Sequence, residues 1–201
     1  MKNIVAGLVL VMGFSGMAQA EGDATAGQQK SAVCAGCHGV DGNSVVPTFP
    51  KLAGQGEKYL VKQLNDIKEG KRVVPEMTGL LDNLSGQDFQ DLAVYFASKK
   101  TTTGQAKADL VEKGQRLYRA GNMATGAAAC TACHGPSGLG NGPAAFPALS
   151  GQQTAYIVTQ LKKFRSGERT NDGDASMMRD IAAKLSDSEM EAVASYISGL
   201  H

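Results

Sequence analysis

Cys34-Ala35-Gly36-Cys37-His38-Gly39 returns as Cys130-Thr131-Ala132-Cys133-His134-Gly135, 96 positions further along a chain of 201 residues. The likeness continues past the cysteines. Phe49-Pro50-Lys51-Leu52-Ala53-Gly54-Gln55 matches Phe146-Pro147-Ala148-Leu149-Ser150-Gly151-Gln152 at an offset of 97, as do Tyr59, Gln63, Leu64 and Gly70 with Tyr156, Gln160, Leu161 and Gly167. Beyond that the offset becomes 101, pairing Met77, Leu84, Ser85 and Tyr95 with Met178, Leu185, Ser186 and Tyr196. The second copy therefore holds four extra residues around Thr170-Asn171-Asp172-Gly173. One module is written twice, and the polar stretch Ser98 to Gly104, without apolar periodicity, places the boundary near Thr103: domains 21–103 and 104–201.

Each module reads as helical. Tyr59, Leu60, Gln63, Leu64 and Ile67 share one face at helical spacing, repeated by Tyr156, Ile157, Gln160, Leu161 and Phe164, and each run stops before a glycine. Ser85-Gly86-Gln87-Asp88 and Ser186-Asp187-Ser188-Glu189 have the pattern of capping boxes opening C-terminal helices. No stretch alternates like a strand, so the expected fold class is all-α, two tandem helical domains. Domains this small bury limited apolar surface. With aromatics at 5% and no Trp, an embedded cofactor is expected to complete each core.

Charge and hydropathy narrow the function. Twenty basic against 19 acidic side chains leave no electrostatic footprint for nucleic acid. Lys2, the apolar run Ile4 to Phe14 and Ala18-Gln19-Ala20 read as a cleaved signal peptide over residues 1–20, with the mature chain starting at Glu21. No Cys follows that site, so no lipid anchor is indicated, and the apolar run is too short to span a bilayer. The expected compartment is a bacterial periplasm, where unoccupied thiols oxidise.

Four readings of the cysteines compete, and the histidines separate them. Disulfides would leave the following His unexplained. A thioredoxin-like pair needs a βαβ setting, and a zinc ribbon needs its pairs roughly 15 to 20 residues apart. Cys-x-x-Cys-His is the attachment pattern of c-type haem: two thiols one helical turn apart reach the two vinyl groups, and the adjacent imidazole meets the iron. The expected cofactor is two covalently attached haem c groups, on Cys34 and Cys37 and on Cys130 and Cys133, with His38 and His134 as iron ligands. Each module has one internal His, so the sixth ligand falls to methionine; His201 reads as an exposed end. Met77 is the one methionine after the motif in the first half, and in the second Met177 and Met178 compete. Repeat spacing favours Met178. Met123 and Met190 read as structural, and Asn171-Asp172-Gly173-Asp174 as a solvated loop.

These motifs, over essentially all of residues 21 to 201, resemble the class I cytochromes c, and within them the two-domain cytochromes c4. The resemblance implies that the carbonyls of Pro50 and Pro147 orient His38 and His134, and that an N-terminal helix with a Gly-x-x-x-aromatic pattern packs on the C-terminal one. Gly114 to Tyr118 fits that pattern; Gly27 to Ser31 departs from it. His/Met ligation fills both axial positions and raises the reduction potential, which favours an electron carrier over a haem enzyme. The resemblance implies a membrane quinol-oxidising complex as donor, a terminal oxidase as acceptor and a possible peripheral association with the inner membrane. The alternatives are a dihaem peroxidase and a cytochrome subunit of a dehydrogenase.

Overall fold

Both C-terminal helices begin at reciprocal caps. Ser85 opens α4 (Gly86–Ala97) and Ser186 opens α9 (Asp187–Ser198). Each hydroxyl accepts the backbone N–H three residues on, while the Asp88 or Glu189 carboxylate accepts the serine N–H. In this computed structural model, which describes residues 21–201, seven further helices surround them. They are α1 (Ala24–Lys30), α2 (Ala32–His38), α3 (Glu57–Lys68), α5 (Val111–Ala120), α6 (Thr131–His134), α7 (Thr154–Ser166) and α8 (Met177–Ala183). Among the described residues there is no β-strand, only two isolated bridges, and no helix is long and apolar enough to cross a membrane. The signal-peptide reading falls on residues outside those described.

In each domain the first and last helices cross at a glycine. A Cβ on Gly27 of α1 would sit 2.1 Å from the Asp91 carbonyl oxygen, and one on Gly114 of α5 would sit 2.3 Å from that of Ala192. Hydrogen alone fits at either crossing. Around them the two domains diverge as Ser31 and Tyr118 dictate. Tyr118 is fully buried, donates to the Gly135 carbonyl at 2.7 Å and packs 5.6 Å from the Tyr196 ring. Ser31 instead closes α1 and starts α2 at once, its hydroxyl donating to the Gln28 carbonyl. The first domain recovers the contact with polar groups. Asp91 accepts from the Asp23 N–H, the Lys30 ammonium and the Gln87 amide, which together hold its carboxyl below the usual range. Tyr95, in the place of Tyr196, reaches forward to donate to the Val40 carbonyl at 2.9 Å.

The domains face each other through a pseudo-two-fold set of hydrogen bonds. The Gln152 side-chain amide accepts from the Lys51 N–H at 2.8 Å and donates to the Lys51 carbonyl at 2.9 Å. The Gln55 amide does the same to the N–H and carbonyl of Ala148, at 2.8 and 3.0 Å. Beside them Arg72 donates to Gln63 of its own domain and to Tyr156 and Gln160 of the other. Arg169 mirrors it, donating to Gln160 and then across to Tyr59 and Gln63. Each patch is self-complementary, as in an isologous dimer joined by a linker. The linker is itself fastened: the Thr102 N–H donates to Asn43 and the Gly104 N–H to the Ser198 carbonyl. Among the described residues no buried side-chain nitrogen or oxygen lacks a partner.

Gly114→Ala should destabilise the protein by roughly 1–3 kcal/mol, the usual cost of forcing a methyl into a packed contact. Urea unfolding of the haem-loaded protein, followed by circular dichroism, checks this; unchanged stability would contradict the close crossing.

Candidate cofactor and metal centres

Cys34, Cys37 and His38 lie on one short helix, α2, and Cys130, Cys133 and His134 in the same arrangement at α6. Gly39 and Gly135, both at positive φ, end the two helices immediately after the histidine and turn the chain away. Each imidazole is almost wholly buried, at 8% and 7% exposure. The His38 Nδ1–H donates to the Pro50 carbonyl at 2.8 Å and the His134 Nδ1–H to the Pro147 carbonyl at 2.9 Å. Phe49 and Phe146 stand at matching tilts, with centroids 6.3 and 6.4 Å from the imidazoles. Burial pushes both histidines below their ordinary pKa, against a smaller upward pull from the prolyl carbonyl. The imidazoles are thus neutral at pH 7, with Nδ1 protonated and the Nε2 lone pair available to a metal.

None of the four cysteines is paired in a disulfide. Burial raises Cys34 and Cys130 to about 11, which keeps them protonated and poorly nucleophilic. Cys34 packs against the Leu60, Leu92 and Phe96 cluster, and Cys130 against its counterpart formed by Leu161, Leu185 and Val193. Two thiols and a neutral imidazole on one short helix, backed by apolar side chains, are a donor set that fits covalent haem. A disulfide framework finds no support in it.

The methionines sort by position. Met178 is half-buried and packs on the same cluster as Cys130, whereas Met177 is exposed. Met77 is half-buried at the end of a 3-10 turn, Pro75–Met77. Met190 is fully buried in α9, as its sequence position suggests. Met123 is 95% exposed on the hairpin-like turn after α5, contrary to the structural role expected of it. His201 is exposed at the chain end.

The four-residue insertion also departs from expectation. Only its tip is solvated. Asn171 donates across the interface to Gln63 and Asp66, and the Asp172 carboxylate accepts the backbone N–H groups of Met178 and Arg179 and the Arg179 Nε–H. Ser176, in the left-handed region at φ 50°, makes the turn that brings Met177 and Met178 back under this clamp. Sequence reasoning missed Asp172 because the insertion has no counterpart in the first module. It also missed Arg72 and Arg169, although their offset of 97 and the glutamines kept in both copies on otherwise apolar helix faces carried the signal.

The family model for cytochrome c matches twice, over residues 24–100 and 111–201. A cytochrome c4 of Pseudomonas aeruginosa is 57% identical over the full length of both chains. A thiosulfate dehydrogenase electron acceptor of Thiomonas intermedia is 35% identical, covering 84% of this chain and 79% of that one. The crystal structure of reduced recombinant cytochrome c4 from Pseudomonas stutzeri superposes with a TM-score of 0.88 at 56% identity, over 90% of this chain and 100% of that one. With the motif, the duplicated helical domains and these likenesses in agreement, the chain belongs to the cytochrome c family as a two-domain, dihaem member of cytochrome c4 type.

Proposed function

We infer that this dihaem electron-transfer protein works as a periplasmic carrier between a membrane quinol-oxidising complex and a terminal oxidase, with peripheral association at the inner membrane. Its domains are 21–103 and 104–201, divided at Thr103, and residues 1–20 are its cleaved export signal. The observation that carries the reading is the duplicated donor set: a neutral imidazole fixed through Nδ1, a thiol pair on the same helix, and one half-buried methionine per domain. Cys34, Cys37, Cys130 and Cys133 hold the two haems. His38 and Met77 ligate one iron, and His134 and Met178 the other. Haem held by these residues would supply reversible one-electron transfer. The protein contributes ligand orientation, exclusion of water from the imidazole side and a fixed relation between domains.

A second reading, a cytochrome partner dedicated to one dehydrogenase, is favoured by the likeness to a thiosulfate dehydrogenase electron acceptor. It differs in the donor, not in the chemistry. Rapid reduction by a sulfur-compound dehydrogenase with slow reduction by quinol-oxidising membranes would select it.

Met178→Leu should remove about half of the weak red-edge sulfur-to-iron band of the oxidised protein and lower one of the two potentials, while Met177→Leu leaves both unchanged. The reverse pattern would transfer the ligand role to Met177. The carrier role is checked by steady-state assays with hydrogen peroxide beside electron delivery to oxidase-containing membranes. Delivery without peroxide turnover is expected. Peroxide turnover at about 1 to 1000 per second without delivery would replace the carrier with a peroxidase.

A further inference from the structure

One peptide group in each domain has a partner at both ends. The carbonyl of the Pro50–Lys51 peptide accepts the His38 Nδ1–H at 2.8 Å, and the N–H of that same peptide donates to the Gln152 Oε1 of the other domain at 2.8 Å. The Pro147–Ala148 peptide repeats this, accepting from His134 at 2.9 Å and donating to Gln55 of the first domain at 2.8 Å. Gln55, Gln152 and Lys51 are buried, so water does not compete strongly for these bonds. Hydrogen bonds in series polarise one another: a peptide whose N–H is bound has a more electron-rich carbonyl. A stronger acceptor at Nδ1 makes the imidazole more basic at Nε2.

We propose that Gln152 and Gln55 are positioning residues for the iron ligand of the opposite domain, so that each domain tunes the other's reduction potential through a single peptide. This rests on His38 and His134 being axial ligands. Gln152 strengthens the Pro50 carbonyl, makes His38 a better donor and favours the ferric state of the first haem; Gln55 does the same for the second. The coupling is crossed, and among the described residues no other hydrogen bond between the domains ends on a ligand-orienting peptide. Gln153 supplies the contrast: its amide also crosses the interface, donating to the Ser44 carbonyl at 2.6 Å, and reaches no such peptide.

The test is potentiometric titration of the haem-loaded Gln152→Leu, Gln55→Leu and Gln153→Leu proteins. Met77→His, which lowers one wave by replacing sulfur with nitrogen, marks the first domain's haem. Gln152→Leu should raise the first haem's potential by about 30 mV, about a threefold change in its oxidised-to-reduced ratio at fixed poise, and leave the second unmoved. Gln55→Leu should do the converse, and Gln153→Leu neither. In the reduced protein, Gln152→Leu should also move the His38 Nδ1 proton resonance and not that of His134, a readout independent of the potentials. No shift, a shift in the substituted domain's own haem, or an equal shift from Gln153→Leu would overturn the proposal. If Gln152→Leu separates the domains, Gln55→Leu and the proton resonance decide. An error in the ligand assignment would show separately, as low-spin spectra of both haems unchanged in His38→Gly.

Discussion

The hydrogen bond from the histidine Nδ1 to a prolyl carbonyl, made once in each domain, is the constraint on which the other features converge. It fixes the tautomer and so leaves Nε2 for a metal. It ties α2 or α6, which carries the thiols, to the loop leading into α3 or α7, whose outer faces form the interface. Burial supplies the second half of the effect, holding both imidazoles below their ordinary pKa and therefore neutral. Remove that carbonyl and the ring could rotate, while the thiols and the interface would lose their common reference.

The two domains reach this geometry by different packing. In the second, Tyr118 fills the space beneath the helix crossing, and the surrounding cluster is extensive and apolar. In the first, Ser31 leaves that space to a shorter connection, a Lys30–Asp91 pair holds α1 against α4, and the Tyr95 hydroxyl ties α4 to the loop after α2. The methionine loops differ as well. Asp172 clamps the segment before Met178, while the Met77 segment is held by backbone turns such as the Met77 N–H to Val74 carbonyl bond. Two copies of one fold thus surround their histidines alike and their Met77 and Met178 segments differently.

Much of this was legible in the residues. The paired Cys-x-x-Cys-His motifs, the helical periodicity of Tyr59 to Ile67 and Tyr156 to Phe164, and the serine caps at 85 and 186 state local chemistry that needs no tertiary context. What stayed hidden depends on long-range geometry. Gln55 and Gln152 end the matched runs Phe49 to Gln55 and Phe146 to Gln152, and only the folded interface shows that each meets a backbone peptide of the other domain. Asp172 looked like part of a solvated loop because its partners, the backbone N–H groups of Met178 and Arg179, have no signature in a sequence. Met123 departs in the opposite sense: its place ahead of the second Cys-x-x-Cys-His suggests a structural role, but its side chain is exposed on a turn.

The central claim is two haems, each held by one histidine and one methionine, in domains that act as a single redox unit. Potentiometric titration of the native protein, followed through the visible spectrum, tests it most directly. The account predicts two one-electron waves of nearly equal amplitude, both low-spin in either oxidation state, with the sulfur-to-iron band lost in proportion as each wave is reduced. A single wave of one electron per chain, or a high-spin haem in the oxidised protein, would contradict it.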